Sequence, residues 1–170
     1  MLPVRTILCP TDFSEPAEAA IAIAAELAGH FASELVLLHV VAPPTPVAAE
    51  PAFAPGAGFD QVAHQGLLVR NAEERLRALG DRLAPGARLR ARVSVGRPGP
   101  TILAVADRET ASLIVIATHG RTGVRRLLFG SVAEKVVRHA PCPVLTVRTR
   151  PVLRYHEPAT PRDIELHSSR

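Results

Sequence analysis

The sequence predicts an open α/β domain, a parallel sheet of about five strands covered by helices on both faces. Three observations predict it. Short β-rich runs alternate along the chain with amphipathic helical stretches, and a parallel neighbour can be reached only through such a crossover. Two of the runs, Leu35 to Val41 and Leu113 to Ala117, are continuously apolar rather than alternating, the pattern of strands buried on both faces. Finally, 170 residues, 47% hydrophobic and 21% charged, supply one ordinary domain with a sizeable core.

Val4 to Cys9 is a β-rich run that Pro10 is expected to close. Ser14-Glu15-Pro16 then supplies an N-cap and a first-turn proline. From Ala17, the residues Ala20, Ile21, Ala24, Leu27, Ala28 and Phe31 recur at three and four, one face of a helix whose end Gly29 marks. The second strand is Leu35 to Val41. Residues 42–60 carry Pro43, Pro44, Pro46, Pro51 and Pro55 with Gly56 and Gly58, which excludes regular helix or central strand and reads as an insertion.

Leu68, Ala72, Leu76, Leu79 and Leu83 mark a second helix, with Glu73, Glu74, Arg75 and Arg77 on its other face and Pro85-Gly86 at its end. Leu89, Ala91, Val93 and Val95 alternate with Arg88, Arg90, Arg92 and Ser94, an edge strand with one wet face. A short helix from Thr101 to Arg108 leads to the buried strand Leu113 to Ala117. After a loop to Gly130 come a helix from Ser131 to His139 and a last strand from Val144 to Arg148. The domain thus spans residues 1–150, and 151–170 form a polar C-terminal tail.

Composition excludes several classes. The longest apolar run, Ala19 to Ala25, is far below the roughly 18 residues that cross a bilayer, so no membrane association is expected. The first residues lack the pattern of an export signal, and the expectation is a cytoplasmic protein. Cys9 and Cys142 are too few for a disulfide framework and read as buried reduced thiols. The pI of about 10.0 comes from scattered arginines, with Lys135 the only lysine. With 4% aromatic residues, no Trp and a net charge of only +4, the chain lacks the stacking platforms of a nucleic-acid binder.

In open parallel sheets, ligands sit beyond the carboxyl ends of the strands, where the strand order reverses. That rule selects Pro10-Thr11-Asp12, His39-Val40-Val41, and Ala117-Thr118-His119-Gly120 with the loop to Gly130-Ser131. Gly120, Gly123 and Gly130 let backbone N–H groups approach an anion, and Ser131 opens a helix whose first donors face it. Each residue also has an ordinary structural role open to it. Ser131 to Glu134 reads as a capping box, Asp12 as a cap of the first helix, and His39 as a hydrogen-bonded core residue. Neither a P-loop nor a Gly-x-Gly-x-x-Gly dinucleotide fingerprint is present, so any phosphate site is built from backbone. Ser131 also lacks the nucleophile elbow of a hydrolase.

Pro10-Thr11-Asp12-Phe13-Ser14, Leu37-Leu38-His39-Val40, Ala117-Thr118-His119-Gly120-Arg121-Thr122-Gly123, Leu127 to Val136 and Ala140 to Val144 together resemble the universal stress protein family, in the family's order from about Arg5 to Arg148. The resemblance implies a Rossmann-like adenine-nucleotide-binding fold with strand order 3-2-1-4-5, and a cytoplasmic stress-response or signalling protein that binds ATP or ADP. It also implies a homodimer formed through the last strand, Val144 to Arg148. ATP-binding members carry Gly-x2-Gly-x9-Gly-Ser/Thr. Here Gly120, Gly130 and Ser131 match, and Ala117 replaces the first glycine.

Carried over by position, Asp12 and Val40 would hold adenine, with Pro10 and Thr11 shaping that pocket. Ile116 and Ala117 would border the ribose; His119, Gly120 and Arg121 would line the phosphate loop; Gly130, Ser131 and Val132 would donate to phosphates. A Mg²⁺ ion can accompany those phosphates, although no carboxylate pair marks a metal site. Two alternatives stay open: a nucleotide-free dimeric interaction module, and slow ATP hydrolysis or autophosphorylation on Ser131, Thr118 or Thr122. No placed general base is evident for the latter, which leaves enzyme status undecided.

Overall fold

The computed structural model describes residues 4–43, 57–118 and 130–148. Nine elements alternate: β1 (Thr6–Thr11), α1 (Glu15–Phe31), β2 (Glu34–Val41), α2 (Ala57–Leu83), β3 (Leu89–Val95), α3 (Pro98–Arg108), β4 (Leu113–Ala117), α4 (Ser131–His139) and β5 (Val144–Val147). The strands form one parallel sheet in the order β3-β2-β1-β4-β5, the order that the family resemblance implies.

The strand pattern dictates the layers, because successive side chains point to opposite faces. Ile7, Cys9, Leu35, Leu37 and Val115 face α1 and α2, meeting Ala20, Ile21, Ala24, Leu76 and Leu79. Leu8, Val36, Leu38, Ile114 and Ile116 face α3 and α4, meeting Ile102, Val105, Ala106, Ala133 and Val136. Continuous apolar runs are therefore required of β1, β2 and β4. β3 lies at the edge as its alternation predicts. Leu89, Ala91 and Val93 pack inward, while Arg90 bonds Glu34 and Glu109, and Arg92 bonds Glu109.

Several boundaries differ from those expected. β1 does not stop at Cys9; Pro10 is within it, opposite Leu38 of β2. The β1–β4 register covers only Ile7↔Leu113 and Leu8↔Ile114, so a residue without an N–H stands beyond the point where that pairing ends. α1 runs past Gly29 and is closed by Ala32 at φ 52, whose N–H bonds back to the Ala28 and Gly29 carbonyls. α2 starts at Ala57, inside the segment expected to be insertion, since no proline lies between Pro55 and Pro85 and Gly58 alone does not break a helix. α3 starts at Pro98 rather than Thr101, with Pro98 in the first turn where its missing N–H costs nothing. The strand expected to reach Arg148 ends at Val147. Residues 44–56 of the insertion and the tail 151–170 lie outside the described residues.

Both cysteines are free, Cys9 buried and Cys142 half-buried. Burial pushes the Cys9 thiol up to about 12 and raises that of Cys142 as well. No described helix is long and apolar enough to cross a membrane.

Candidate functional site

The sheet order reverses between β1 and β4, and there a cavity of about 330 Å³ opens at the carboxyl ends of the strands. Pro10, Thr11, Asp12, Val40, Ile116, Ala117, Gly130, Ser131 and Val132 all line it. Three segments far apart in sequence thus converge on one space. His119, Gly120 and Arg121 lie outside the described residues.

The turn after β1 fixes one wall. The Phe13 N–H donates to Thr11 Oγ1 at 3.0 Å, while Asp12 Oδ1 accepts from the Ser14 N–H at 3.1 Å and from the Ser14 hydroxyl at 2.5 Å. Such i to i+2 bonds close a tight turn. Ser14, not Asp12, is the N-cap of α1, accepting from the Ala17 N–H at 3.4 Å. Asp12 is thus tied to the start of the helix through Ser14, and it lines the cavity.

The opposite wall is the start of α4. Gly130, not Ser131, occupies the N-cap position, and a glycine there has no side chain to cap the turn. Ser131 is the first helical residue, so the capping box expected with Glu134 does not form; the Glu134 N–H bonds the Gly130 carbonyl at 2.9 Å instead. A helix start leaves N–H groups without intrahelical partners and carries partial positive charge. The Gly130 N–H donates to the Thr118 carbonyl at 2.7 Å, and the Thr118 N–H to the Val147 carbonyl at 2.9 Å, which ties this turn to the end of β4.

Further residues line the cavity without having been singled out. Ala17, Leu38, Ile102 and Ala133 give it apolar sides, with Pro98 at the start of α3. Thr118, 2% exposed, and His39, both within the strand-end segments selected from sequence, line it as well. The His39 Nδ1–H donates to the Thr11 carbonyl at 2.8 Å, the hydrogen-bonded role its position suggested, and the residue also lines the cavity. Pro98 and Ile102 had a readable signal: they follow the end of β3, to which the strand-end rule applies as to the other strands. The result is a mostly apolar slot with a carboxylate on one side and a helix start on the other, suited to a flat ring carrying an anionic group. Among the described residues, no three His, Cys, Asp or Glu side chains cluster as metal ligands would.

Comparison with known proteins gives a consistent result. The profile of the universal stress protein family matches residues 3–148. A universal stress protein of Thermus aquaticus is 36% identical over 146 residues, covering 85% of this chain and 98% of that one. The solved structure of a universal stress protein of Methanocaldococcus jannaschii superposes with TM-score 0.73 at 27% identity, over 88% of this chain and 99% of that one. A universal stress protein solved in complex with cAMP shares the fold at TM-score 0.58 and 23% identity, over 87% of this chain and 99% of that one.

Proposed function

Since the chain belongs to the universal stress protein family, we propose that the cavity between β1 and β4 binds ATP or ADP and that the chain serves as a nucleotide-responsive stress or signalling protein of the cytoplasm, acting as a homodimer. The observation that carries this reading is the meeting, at one cavity, of Asp12 with the start of α4, whose N-cap residue Gly130 has no side chain to take up the helix donors. The same fold holds cAMP in a relative, which supports an adenylate as the class of ligand.

In this reading Asp12 accepts a hydrogen bond from the adenine amino group and Val40 packs on the base, with Pro10 and Thr11 behind it. Ile116 and Ala117 border the ribose. The N–H groups and hydroxyl of Gly130, Ser131 and Val132 meet the phosphates, assisted by His119, Gly120 and Arg121 of the connecting loop. A Mg²⁺ ion would be held through the phosphates, since the described residues offer it no ligand cluster. The ligand acts by favouring whichever state of the chain it binds more tightly.

Gly130→Asp tests the site. Gly130 has φ −71, open to any residue, and a Cβ there would lie 3.4 Å from the Thr118 carbonyl oxygen, so the fold can accept it. An aspartate at an N-cap takes up the helix donors itself and repels phosphate. Equilibrium dialysis should show ATP affinity falling by at least about tenfold; unchanged affinity in the variant would remove the assigned site. Ala117 favours a second reading, the nucleotide-free interaction module, because its methyl stands at the strand end where ATP-binding members have glycine. A wild-type chain that binds no adenine nucleotide would establish that reading instead.

A further inference from the structure

Beside the cavity, the side chains of three elements stack in a column. The Phe13 ring lies 4.3 Å from the His39 ring, centroid to centroid, and the Arg75 guanidinium sits 4.4 Å from the Phe13 centroid. Phe13 belongs to the turn after β1, His39 to β2 and Arg75 to α2. Only His39 lines the cavity.

Phe13 has φ 63, the left-handed region. A bulky residue persists there only when its surroundings compel it. Here the ring is held between an imidazole and a cation, and a guanidinium near an aromatic ring is an attractive pairing. Phe13 is also the middle residue of the turn in which Asp12 Oδ1 accepts from both the N–H and the hydroxyl of Ser14. The φ of Phe13 therefore helps to set where the Asp12 carboxylate points.

We propose that Phe13 and Arg75 are positioning residues for base recognition: the column holds Phe13 left-handed and thereby aims the Asp12 carboxylate at the exocyclic amino group of a 6-aminopurine. This rests on the nucleotide reading above. Guanine presents a carbonyl oxygen at the same ring position, which a carboxylate repels, so the quantity that the column controls is the preference for ATP over GTP. Arg75 ties that preference to α2. Neither Phe13 nor Arg75 lines the cavity, so a change in base preference on altering them points to positioning rather than to a lost ligand contact.

Calorimetric titration of the full chain with ATP and with GTP tests the proposal. Arg75 is exposed on α2, and Arg75→Met keeps the stem while removing the cation; ATP affinity should fall about threefold with GTP affinity unchanged. Phe13→Gly accepts the positive φ without strain and removes the ring, and should cost about tenfold in ATP affinity alone. Phe13→Tyr, which keeps the ring, should restore the wild-type ATP to GTP ratio. A merely structural role would weaken both nucleotides alike. If wild type prefers ATP and the ratio stays unchanged in Arg75→Met and Phe13→Gly, the column's role is overturned and the nucleotide site stands; if the glycine variant does not fold, Arg75→Met decides alone. Wild-type protein that binds the two nucleotides equally also overturns it, and wild-type protein that binds neither overturns the site as well.

Discussion

Ala117 is the residue at which this chain departs from the glycine pattern of ATP-binding relatives, and the effect of its single methyl depends on the space at the end of β4. It lines the cavity while pairing with Val147 across the sheet, a regular strand position that needs no glycine. Ala117→Gly is therefore expected to leave ATP affinity equal or up to about threefold higher, by relieving crowding beside the ribose, as measured by titration; a large loss would mean that the methyl contacts the ligand favourably. Cys9 is a second residue with a defined consequence. Its thiol is pushed from the ordinary 9.0 up to about 12 by burial, so between those values the unfolded chain releases a proton that the native chain retains. The sign is then fixed: stability falls as pH rises through that window, by at most about 1.4 kcal/mol per unit. Urea unfolding at pH 8 and pH 10 should show a steeper loss in wild type than in Cys9→Ala, and equal slopes would contradict the buried thiol. At this scale much of the cavity wall was legible, because parallel strands end at one edge and the residues after them must meet. Pro98 and Ile102 escaped because helical periodicity describes a face of α3 without saying that its first turn borders the point where β1 and β4 part.

α4 and α3 show what an element's first turn decides. Both begin near the cavity, yet α3 opens with Pro98-Gly99-Pro100, which leaves Gly99 the one N–H donor among those three residues, whereas α4 opens with Ser131-Val132-Ala133 and keeps all three donors. The slot is accordingly apolar along α3 and suited to an anion at α4. Local sequence suggested a capping box at Ser131, and only the placement of Gly130 at the N-cap shows why it does not form. The start of α2 at Ala57 departs from expectation for a related reason, since a proline-rich composition ends where the prolines end and not at the next amphipathic repeat. β5 is an edge strand carrying Leu145, 39% exposed, while Val137 of the adjoining α4 is 44% exposed. An open apolar edge of this kind is covered by a second copy in the dimer we propose. Sedimentation at tens of micromolar should give a dimer for wild type and a monomer for Leu145→Arg; a monomeric wild type, or a variant that stays dimeric, would count against β5 as the interface.

For the whole molecule, the order β3-β2-β1-β4-β5 does two things at once. It buries β1, β2 and β4 on both faces, which demands the apolar runs seen in sequence, and it leaves a reversal point between β1 and β4 where distant segments meet. The fold was legible because burial is written as uninterrupted Leu, Ile and Val; the site was legible only as candidates, because convergence is a property of the sheet and not of any one segment. At the far edge, Glu109 joins Arg90 and Arg92 while Arg90 also meets Glu34, which gives the edge strand β3 a charged face. The central claim concerns the reversal point between β1 and β4, where the cavity opens. Native mass spectrometry of the whole chain incubated with ATP tests it most directly: the account predicts one nucleotide mass per wild-type chain and none on Gly130→Asp under the same conditions, whereas nucleotide retained by the variant, or absent from wild type, would contradict it.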